Sequence, residues 1–411
     1  MRLLRLLPLA AAAALVLPAQ DHWVATWTTA ETLAHTGPAP AARANATPAQ
    51  AIGIRGFHNQ TVRMIARVSI PGKRVRVKLS NAFGAAPVTV ASAHIALREK
   101  DSAIVPTSDR ALAFDGRPGV TIGPGAVILS DPVDLTIPAL ADVAVSLFFP
   151  GETGPPTNHA TGLHNAYVTS GDATARPAIE EPIVTQQYYY LAGIDVMAPS
   201  SSFLIVAYGD SITDGARSSN ESNHAWPALL AARLAAKKET AAIAVGNMGI
   251  GGNRVLRDGA GSSALARFDR DVLSQSGVKW VMLLEGINDI GHSDTNTGEN
   301  VEAADIIAGY RQLIERAHTH GLRIIGCTLT PYGGAGYQRE HGEAVREAVN
   351  EWIRTPGHFD AVVDFEKATR DAADPKKIRA EFDPGDHLHP NDAGYQAMAD
   401  AIDLSIFTRK K

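Results

Sequence analysis

A serine, an aspartate and a histidine in the second half of the chain have the types and spacing needed for nucleophilic catalysis. Ser211 lies in VAYGDSITDGA (206–216), directly after an apolar run, and Asp386 and His389 lie in DHLHP (386–390). A serine hydroxyl attacks a carbonyl only when an imidazole takes its proton and a carboxylate orients that imidazole. The three-residue spacing lets Asp386 and His389 lie on one side of a tight turn. The three residues therefore predict a nucleophile, its orienting acid and its base.

Attack on a carbonyl also creates an oxyanion, which needs hydrogen-bond donors. Gly252 ends NMGIGG and Asn288 lies in GIND. The backbone amides of Gly252 and Ser211 and the side-chain amide of Asn288 could supply three donors, each worth about 2.7 to 4 kcal/mol in the transition state. Glycine suits this use because the missing side chain lets its backbone approach the reacting atom. We interpret the neighbouring Asp289 as structural.

These residues belong to a segment in which apolar strands and amphipathic helices alternate after residue 200. The strand-like runs are FLIVAY, AAIAVGN, KWVMLLEG, RIIGCTLT and AVVDFE. This order predicts a parallel sheet with helices on both faces. Side chains that follow the carboxyl ends of parallel strands converge on one crevice. We therefore expect the four polar motifs to meet at one edge of that sheet.

The first half, residues 21–199, has a different periodicity. Short alternating or β-branched runs such as TVRMIARVSI, RVRVKLS and DVAVSLFF are separated by Gly, Pro, Asn or Asp. This pattern is typical of hairpins in an all-β sandwich or jelly roll. In RVRVKLS, charged residues including Lys78 alternate with Val75, Val77 and Leu79, which predicts one wet face and one buried face. We place the boundary near 197–202, between an accessory β-domain and a catalytic domain over 200–411.

Together the four motifs, GDSIT, NMGIGG, GIND and DHLHP, resemble the signature blocks of the SGNH hydrolases, also called the GDSL esterase and lipase family. They occur in the family's order, and the resemblance spans about residues 202–405. It implies a flavodoxin-like sheet, Ser211 as nucleophile, His389 as base and Asp386 as its orienting acid. It also implies that Gly252 and Asn288 form the oxyanion hole with Ser211, without a cofactor or a metal.

Composition limits the location and the partners. Residues 1–20 combine Arg2 and Arg5 with an apolar stretch, which predicts a signal peptide and a secreted or periplasmic protein. No later segment has transmembrane length. A formal net charge of −5 argues against a nucleic-acid partner, and the single cysteine, Cys327, is interpreted as a buried structural thiol. The expected substrate is a small-molecule or polysaccharide ester, and the oligomeric state is left open.

Other kinds of site are less well supported by the residues. His387 and His389, with Asp210 and Asn288, could form a two-metal phosphoesterase site, but this would leave Ser211 without a task. GIGGNR lacks the third glycine of a dinucleotide loop, where Arg254 stands instead. The Gly-x-Ser-x-Gly elbow of other lipases is absent. We interpret Asp214, His224 and Glu285 as structural or surface residues.

The sequence leaves three functions open. The first is a secreted esterase that removes short acyl groups, with a lean towards acetyl groups on a polysaccharide. The second is a lipase or lysophospholipase of the same family with a longer acyl pocket. The third, of another class, is a glycan-binding module attached to a degenerate hydrolase scaffold.

Overall fold

A computed structural model describes residues 21–33, 47–293 and 300–408. The predicted signal peptide, residues 1–20, lies outside these ranges. The chain passes from antiparallel to parallel sheets between Ala198, where the last strand of the first half ends, and Phe203, where the next strand begins. None of the helices in the described ranges is long and apolar enough to cross a membrane.

In its described residues, the first half is built almost entirely from antiparallel strands, which form two large sheets and two small ones. The larger sheets have the strand orders β1-β17-β4-β10, with β11 also on β4, and β15-β14-β3-β12-β6-β7, with β8 on β6. The strands are β1 (His22–Thr28), β2 (Thr32–Leu33), β3 (Gln60–Arg67), β4 (Gly72–Ser80), β5 (Val88–Val90), β6 (Ser92–Lys100), β7 (Ala103–Ile104), β8 (Arg110–Ala111), β9 (Val120–Ile122), β10 (Val127–Leu129), β11 (Val133–Ile137), β12 (Asp142–Phe149), β13 (Thr157–His159), β14 (Ala166–Ser170), β15 (Ile183–Thr185), β16 (Tyr188–Tyr189) and β17 (Leu191–Ala198).

One helix of the first half, α1 (Pro48–Arg55), was not predicted. Its start carries a local signal, because Thr47 and Gln50 form a reciprocal capping box and Pro48 occupies the first turn. A Thr-Pro-x-Gln pattern could have revealed it. The helix is too short for its apolar periodicity to stand out, with Ile52 as its buried residue.

Strand β4 corrects the expectation of one buried and one wet face. Val75, Val77 and Leu79 are buried as predicted. Lys78, however, is also buried, and its Nζ donates to Gln275 Oε1 at 3.0 Å in the second half of the chain. The alternation was right, but residues distant in sequence cover the polar face at this end of the strand.

The second half alternates strands and helices. It contains β18 (Phe203–Gly209), α2 (Ser211–Asp214), α3 (Trp226–Ala235), β19 (Ile243–Gly249), α4 (Ala264–Phe268), β20 (Val278–Leu284), α5 (Ile287–Gly291), α6 (Ala303–Thr319), β21 (Arg323–Cys327), α7 (Glu340–Arg354), β22 (Ala361–Val363), α8 (Phe365–Thr369) and α9 (Asp392–Asp400). The five strands are parallel in the order β19-β18-β20-β21-β22. This is the flavodoxin-like order, and its switch point lies between β18 and β20. The predicted parallel sheet of the SGNH hydrolase fold is confirmed.

The two halves share a hydrophobic core, to which both contribute buried residues. The first half lies along β19, the edge strand of the parallel sheet. The Val245 amide donates to Ser69 Oγ at 3.2 Å, and Thr28 Oγ1 donates to the Asn247 carbonyl at 3.3 Å. A side chain at Gly246 would come within 2.4 Å of Thr28 Oγ1, so this contact requires glycine. The first half thus covers an edge that would otherwise expose unpaired backbone groups.

Candidate active site

Ser211 begins the short helix α2, directly after β18 ends at Gly209. Asp210 stands between them as the N-cap residue, and its Oδ1 accepts a hydrogen bond from the Ile212 amide at 2.9 Å. A Cβ at Gly209 would lie 2.1 Å from the Leu284 carbonyl oxygen, so the strand end tolerates no side chain there. The Gly-Asp-Ser sequence therefore fixes where the Ser211 hydroxyl leaves the sheet.

The structure brings Ser211, His389 and Asp386 into one hydrogen-bonded chain. Ser211 Oγ lies 2.8 Å from His389 Nε2, and His389 Nδ1 lies 3.0 Å from Asp386 Oδ2. With a proton on Nδ1, the imidazole donates to Asp386 and accepts from the serine hydroxyl. This is the geometry needed to remove the serine proton during attack.

The loop that carries His389 donates hydrogen bonds to the carboxylate of Asp386 and so affects its pKa. Asp386 Oδ1 accepts from the backbone amides of His389 at 3.0 Å and Leu388 at 3.2 Å, while Arg217 Nε donates to Oδ2 at 2.8 Å. Burial alone would raise the pKa of Asp386. The hydrogen bonds from His389, Arg217 and Leu388 outweigh burial and hold that pKa well below its usual value. The carboxylate therefore stays charged beside the imidazole.

The helix that follows DHLHP is fastened to the segment that follows Ser211. Asn391 caps α9, because its Oδ1 accepts a hydrogen bond from the Gly394 amide at 3.1 Å. Tyr395, on α9, donates its hydroxyl to the Ala216 carbonyl at 2.7 Å. This contact joins the histidine-bearing loop and the serine-bearing turn independently of the serine–histidine hydrogen bond.

Gly252 and Asn288 follow β19 and β20, the two strands that flank β18. Gly252 has φ of 75°, a left-handed conformation that favours glycine. Asn288 is buried; its Nδ2 donates to the Asn253 carbonyl at 2.9 Å, and its Oδ1 accepts from the Tyr337 hydroxyl at 3.3 Å. These bonds orient the amide and use one of its two hydrogens. Sequence reasoning did not identify Tyr337, which lies far from the motif.

Arg267 is a second residue that the motifs did not reveal. Its fully buried guanidinium donates to the carbonyls of Gly209 and Met248, at 2.9 and 2.8 Å, and to Asn253 Oδ1 at 2.8 Å. It therefore ties together the ends of β18 and β19 and the turn that holds Asn288. A lone arginine in the run ALARF carries no sequence signal for this role.

Buried carboxyl groups surround the same strand ends. Burial raises the pKa of Asp210 to about 7 and that of Asp289 to about 6, and it raises the pKa of Glu285 well above its usual value. Asp289 Oδ2 and Oδ1 accept from the amides of Val255 at 2.7 Å and Leu256 at 3.0 Å. Asp289 therefore holds the segment after Gly252, in agreement with its interpretation as structural.

A second histidine–aspartate pair lies at the other end of α2. Asp214 Oδ1 is 3.0 Å from Nε2 of His159 on β13, and both side chains are buried. His159 Nδ1 also lies 2.7 Å from the Ala30 carbonyl. Burial alone would lower the pKa of His159, but the charge of Asp214 and these acceptors raise it. Asp214 is thus structural, and its partner comes from the first half.

The residues of the rival metal site do not assemble as a ligand set. His387 Nδ1 pairs with Asp383 at 2.5 Å, whereas His389 faces Ser211 and Asp386. His224 pairs with Asp392. Within the part of the chain that the structure describes, no three His, Cys, Asp or Glu side chains are grouped to hold a metal ion. Cys327 is buried, and burial raises the pKa of its thiol.

Comparison with known proteins gives a family for this half of the chain. Residues 207–397 match the GDSL-like lipase/acylhydrolase family. No curated protein matches the chain. Similar solved structures include the acetylxylan esterase Axe2 from Geobacillus stearothermophilus (24% identity, 51% of this chain and 95% of that chain, TM-score 0.40). Another is a GDSL-like lipase from Bacteroides thetaiotaomicron VPI-5482, with 19% identity over 50% of this chain and 88% of that chain and a TM-score of 0.37. A third is LAE5, an α/β hydrolase from the metagenome of Lake Arreo, with 23% identity over 50% of this chain and 95% of that chain and a TM-score of 0.39. Residues 207–397 therefore belong to the GDSL-like lipase/acylhydrolase family, and the protein is a carboxylic ester hydrolase.

Proposed function

We propose that this protein is a secreted or periplasmic serine esterase that hydrolyses carboxylic esters through an acyl-enzyme on Ser211. The observation that carries the proposal is the continuous chain from Ser211 Oγ to His389 Nε2, 2.8 Å, and from His389 Nδ1 to Asp386 Oδ2, 3.0 Å. These distances lie within the range of direct hydrogen bonds. The predicted leader at residues 1–20 supports export, and the strand pattern of residues 21–199 supports an accessory sandwich or jelly roll.

In the first step, Ser211 Oγ forms a bond to the ester carbonyl carbon while His389 Nε2 takes the serine proton. Asp386 keeps the opposite nitrogen protonated and stabilises the imidazolium. The tetrahedral intermediate then loses the alcohol, which receives that proton from His389. Water, activated by the same imidazole, attacks the acyl-enzyme and releases the carboxylic acid and Ser211.

The oxyanion of each intermediate is assigned to three donors. They are the backbone amides of Ser211 and Gly252 and the Nδ2 group of Asn288. Because Asn288 gives only one of its two amide hydrogens to Asn253, the second can serve the oxyanion. Its orientation is set before substrate binds, which is the condition under which such donors contribute most.

We propose short acyl groups, acetyl above all, and a polysaccharide as the natural carrier. Polar side chains lie around the triad: Arg217 and His387 are both exposed beside Asp386. The strongly exposed large apolar side chains of the described residues, Ile54, Val127, Leu129 and Val184, all belong to the first half. A polar rim favours a hydrated substrate over a lipid surface.

Turnover of p-nitrophenyl acetate by the purified protein tests the mechanism. We expect activity that survives EDTA and disappears in Ser211→Ala, with Ser222→Ala, an exposed serine eleven positions further along, as the matched control. Activity that persists in Ser211→Ala would contradict the acyl-enzyme. Activity that EDTA abolishes and added metal restores would favour the metallophosphoesterase.

Acyl-chain length separates the remaining functions. We expect acetate to be cleaved faster than butyrate and laurate, and acetate to be released from acetylated xylan. Preference for laurate would favour the lipase or lysophospholipase. Binding to xylan without turnover of any ester would favour a glycan-binding module on an inactive scaffold.

A further inference from the structure

Two donors share a single oxygen of the proposed triad carboxylate. His389 Nδ1 lies 3.0 Å from Asp386 Oδ2, and Arg217 Nε donates to the same oxygen at 2.8 Å. Arg217 lies six residues after Ser211 and 169 residues before Asp386. The sequence motifs give no indication of this contact.

The backbone conformation at Arg217 is unusual for a residue with a side chain. Arg217 has φ of 71°, a left-handed conformation that glycine adopts much more easily than arginine. Two positions earlier, Gly215 has φ of 108°, so the turn already uses glycine where it can. An arginine therefore occupies a left-handed position while its guanidinium contacts Asp386, and glycine at this position would relieve the strain.

We propose that Arg217 is a positioning residue that fixes Asp386 Oδ2, the oxygen that faces His389, and that its positive charge influences the pH range over which the pair works. The inference deepens the proposed serine esterase and rests on it. A fixed cation beside the carboxylate offsets part of the negative charge that stabilises the imidazolium. Ester hydrolysis should therefore extend further into the acidic range than it would with Asp386 and His389 alone.

Other titratable groups face the pair from the elements packed around it. Asp383 and His387 lie on the same loop as the pair. Helix α9 contributes Asp392, which pairs with His224, and Tyr395. The remaining groups are Asp210 and Tyr337. Arg217 differs from all of these because it is a permanently charged cation in direct contact with Asp386. Its substitution therefore changes the charge at the pair without changing a second titration.

The turn that carries Arg217 has independent supports. The Tyr395 hydroxyl donates to the Ala216 carbonyl, and the Ser219 amide donates to Asp392 Oδ1 at 2.7 Å. The Ser218 hydroxyl donates to the Gly215 carbonyl at 2.7 Å. Loss of the Arg217 side chain should therefore leave the fold of the turn intact.

Arg217→Gly is the decisive variant because it removes the guanidinium and also relieves the left-handed strain. We expect its Tm to stay within about 3 °C of the wild type. The acid limb of kcat/KM for p-nitrophenyl acetate should move to higher pH by roughly 0.3 to 1 unit at low salt. Raising the salt should move the wild-type limb in the same direction and the variant limb less, because salt screens an exposed charge. Arg217→Lys, which retains the charge, should largely restore the wild-type limb.

Arg74→Gln is the matched control, since Arg74 is an arginine of similar exposure, 55% against 60% for Arg217, that also pairs with an aspartate. It should leave the acid limb in place. An unchanged limb in Arg217→Gly overturns the inference, as does an equal shift in Arg74→Gln. NMR titration of the His389 ring in wild type and Arg217→Gly measures the same effect without turnover. An inactive wild type whose ring still shows the shift would therefore refute the esterase but uphold the influence of Arg217 on His389.

Discussion

Two histidine–aspartate pairs lie at the two ends of α2, the four-residue helix that begins at Ser211. At its start, His389 pairs with Asp386, and the histidine side chain is 17% exposed. At its end, His159 pairs with Asp214, and the histidine side chain is 6% exposed. The N···O distance is 3.0 Å in both pairs. The same two residue types, at the same separation, therefore occur in very different surroundings.

The second ring nitrogen decides what each pair can do. His389 Nε2 faces the Ser211 hydroxyl, which can donate a proton as well as accept one. His159 Nδ1 faces the Ala30 carbonyl, which can only accept. With acceptors at both nitrogens, His159 is held as a buried cation between the two halves of the chain. His389 can therefore exchange a proton with the Ser211 hydroxyl, whereas His159 serves as a fixed link.

Removal of His389 should have the largest effect on catalysis. His389→Ala deprives Ser211 of its proton acceptor, so we expect kcat for p-nitrophenyl acetate to fall by about 10⁴- to 10⁶-fold. The Tm should change little because the ring is partly exposed. Steady-state kinetics and thermal unfolding of the same preparation check both parts. A residual rate within tenfold of the wild type would mean that the two pairs do not differ in the way described.

Removal of His159 should instead act on stability. His159→Gln leaves Asp214 buried without a charged partner, which should lower the free energy of unfolding by about 3 to 5 kcal/mol. Urea unfolding measures this loss. The fraction that remains folded should retain more activity than His389→Ala by several orders of magnitude. A stable but inactive His159→Gln would show that the buried pair takes part in the chemistry.

The same contrast extends to two asparagines at the strand ends. Asn247 gives Nδ2 to the carbonyls of Thr213 and Asp214, and its Oδ1 accepts from the Gly249 amide, so its polar groups are committed to the fold. Asn288→Ala should lower kcat by roughly 10²- to 10³-fold while the protein stays folded. Asn247→Ala should lower the Tm more than it lowers kcat. Equal kinetic losses in the two variants would remove Asn288 from the oxyanion hole.

The buried pair of His159 and Asp214 should also make the free energy of unfolding depend on pH, and this effect is smaller than those of the substitutions above. The folded state raises the pKa of His159. Its contribution is therefore complete below the unfolded value, about 6.5, and is lost as the pH rises through the folded value, at up to about 1.4 kcal/mol per pH unit. The double variant His159→Gln/Asp214→Asn carries neither charge and should lack this loss.

Urea unfolding at several pH values above 6.5 checks this difference between wild type and double variant. Burial also raises the pKa of Glu31 and that of Asp210 to about 7, so both carboxyl groups lower stability as the pH rises from about 4 to 7. Because both are present in the wild type and the variant, they cancel in the comparison. Parallel pH profiles for the two proteins would contradict a protonated His159.

The sequence predicted the part of the site in which local patterns carry the information. Ser211 was recognisable because its Gly-Asp-Ser step occurs together with the three other motifs, and the three-residue spacing indicated Asp386 with His389. The parallel sheet with helices on both faces followed from apolar runs that alternate with helical segments, whereas its flavodoxin-like character was implied by the resemblance to the SGNH hydrolases. The sequence did not reveal the roles of Arg267, Tyr337 or His159, because a single residue has no periodicity and its partners lie far along the chain.

The sequence by itself determined the alternation of strands and helices in the second half, the four polar motifs and the chemistry that their residue types permit. Only the tertiary structure decided that His159 meets Asp214, that Lys78 on the polar face of β4 is covered and which residues hold the edge strand β19. The physical reason is the distance along the sequence between the residues that interact. Periodicity and capping depend on neighbours within a few residues, whereas the fate of a buried charge depends on whichever distant segment packs against it.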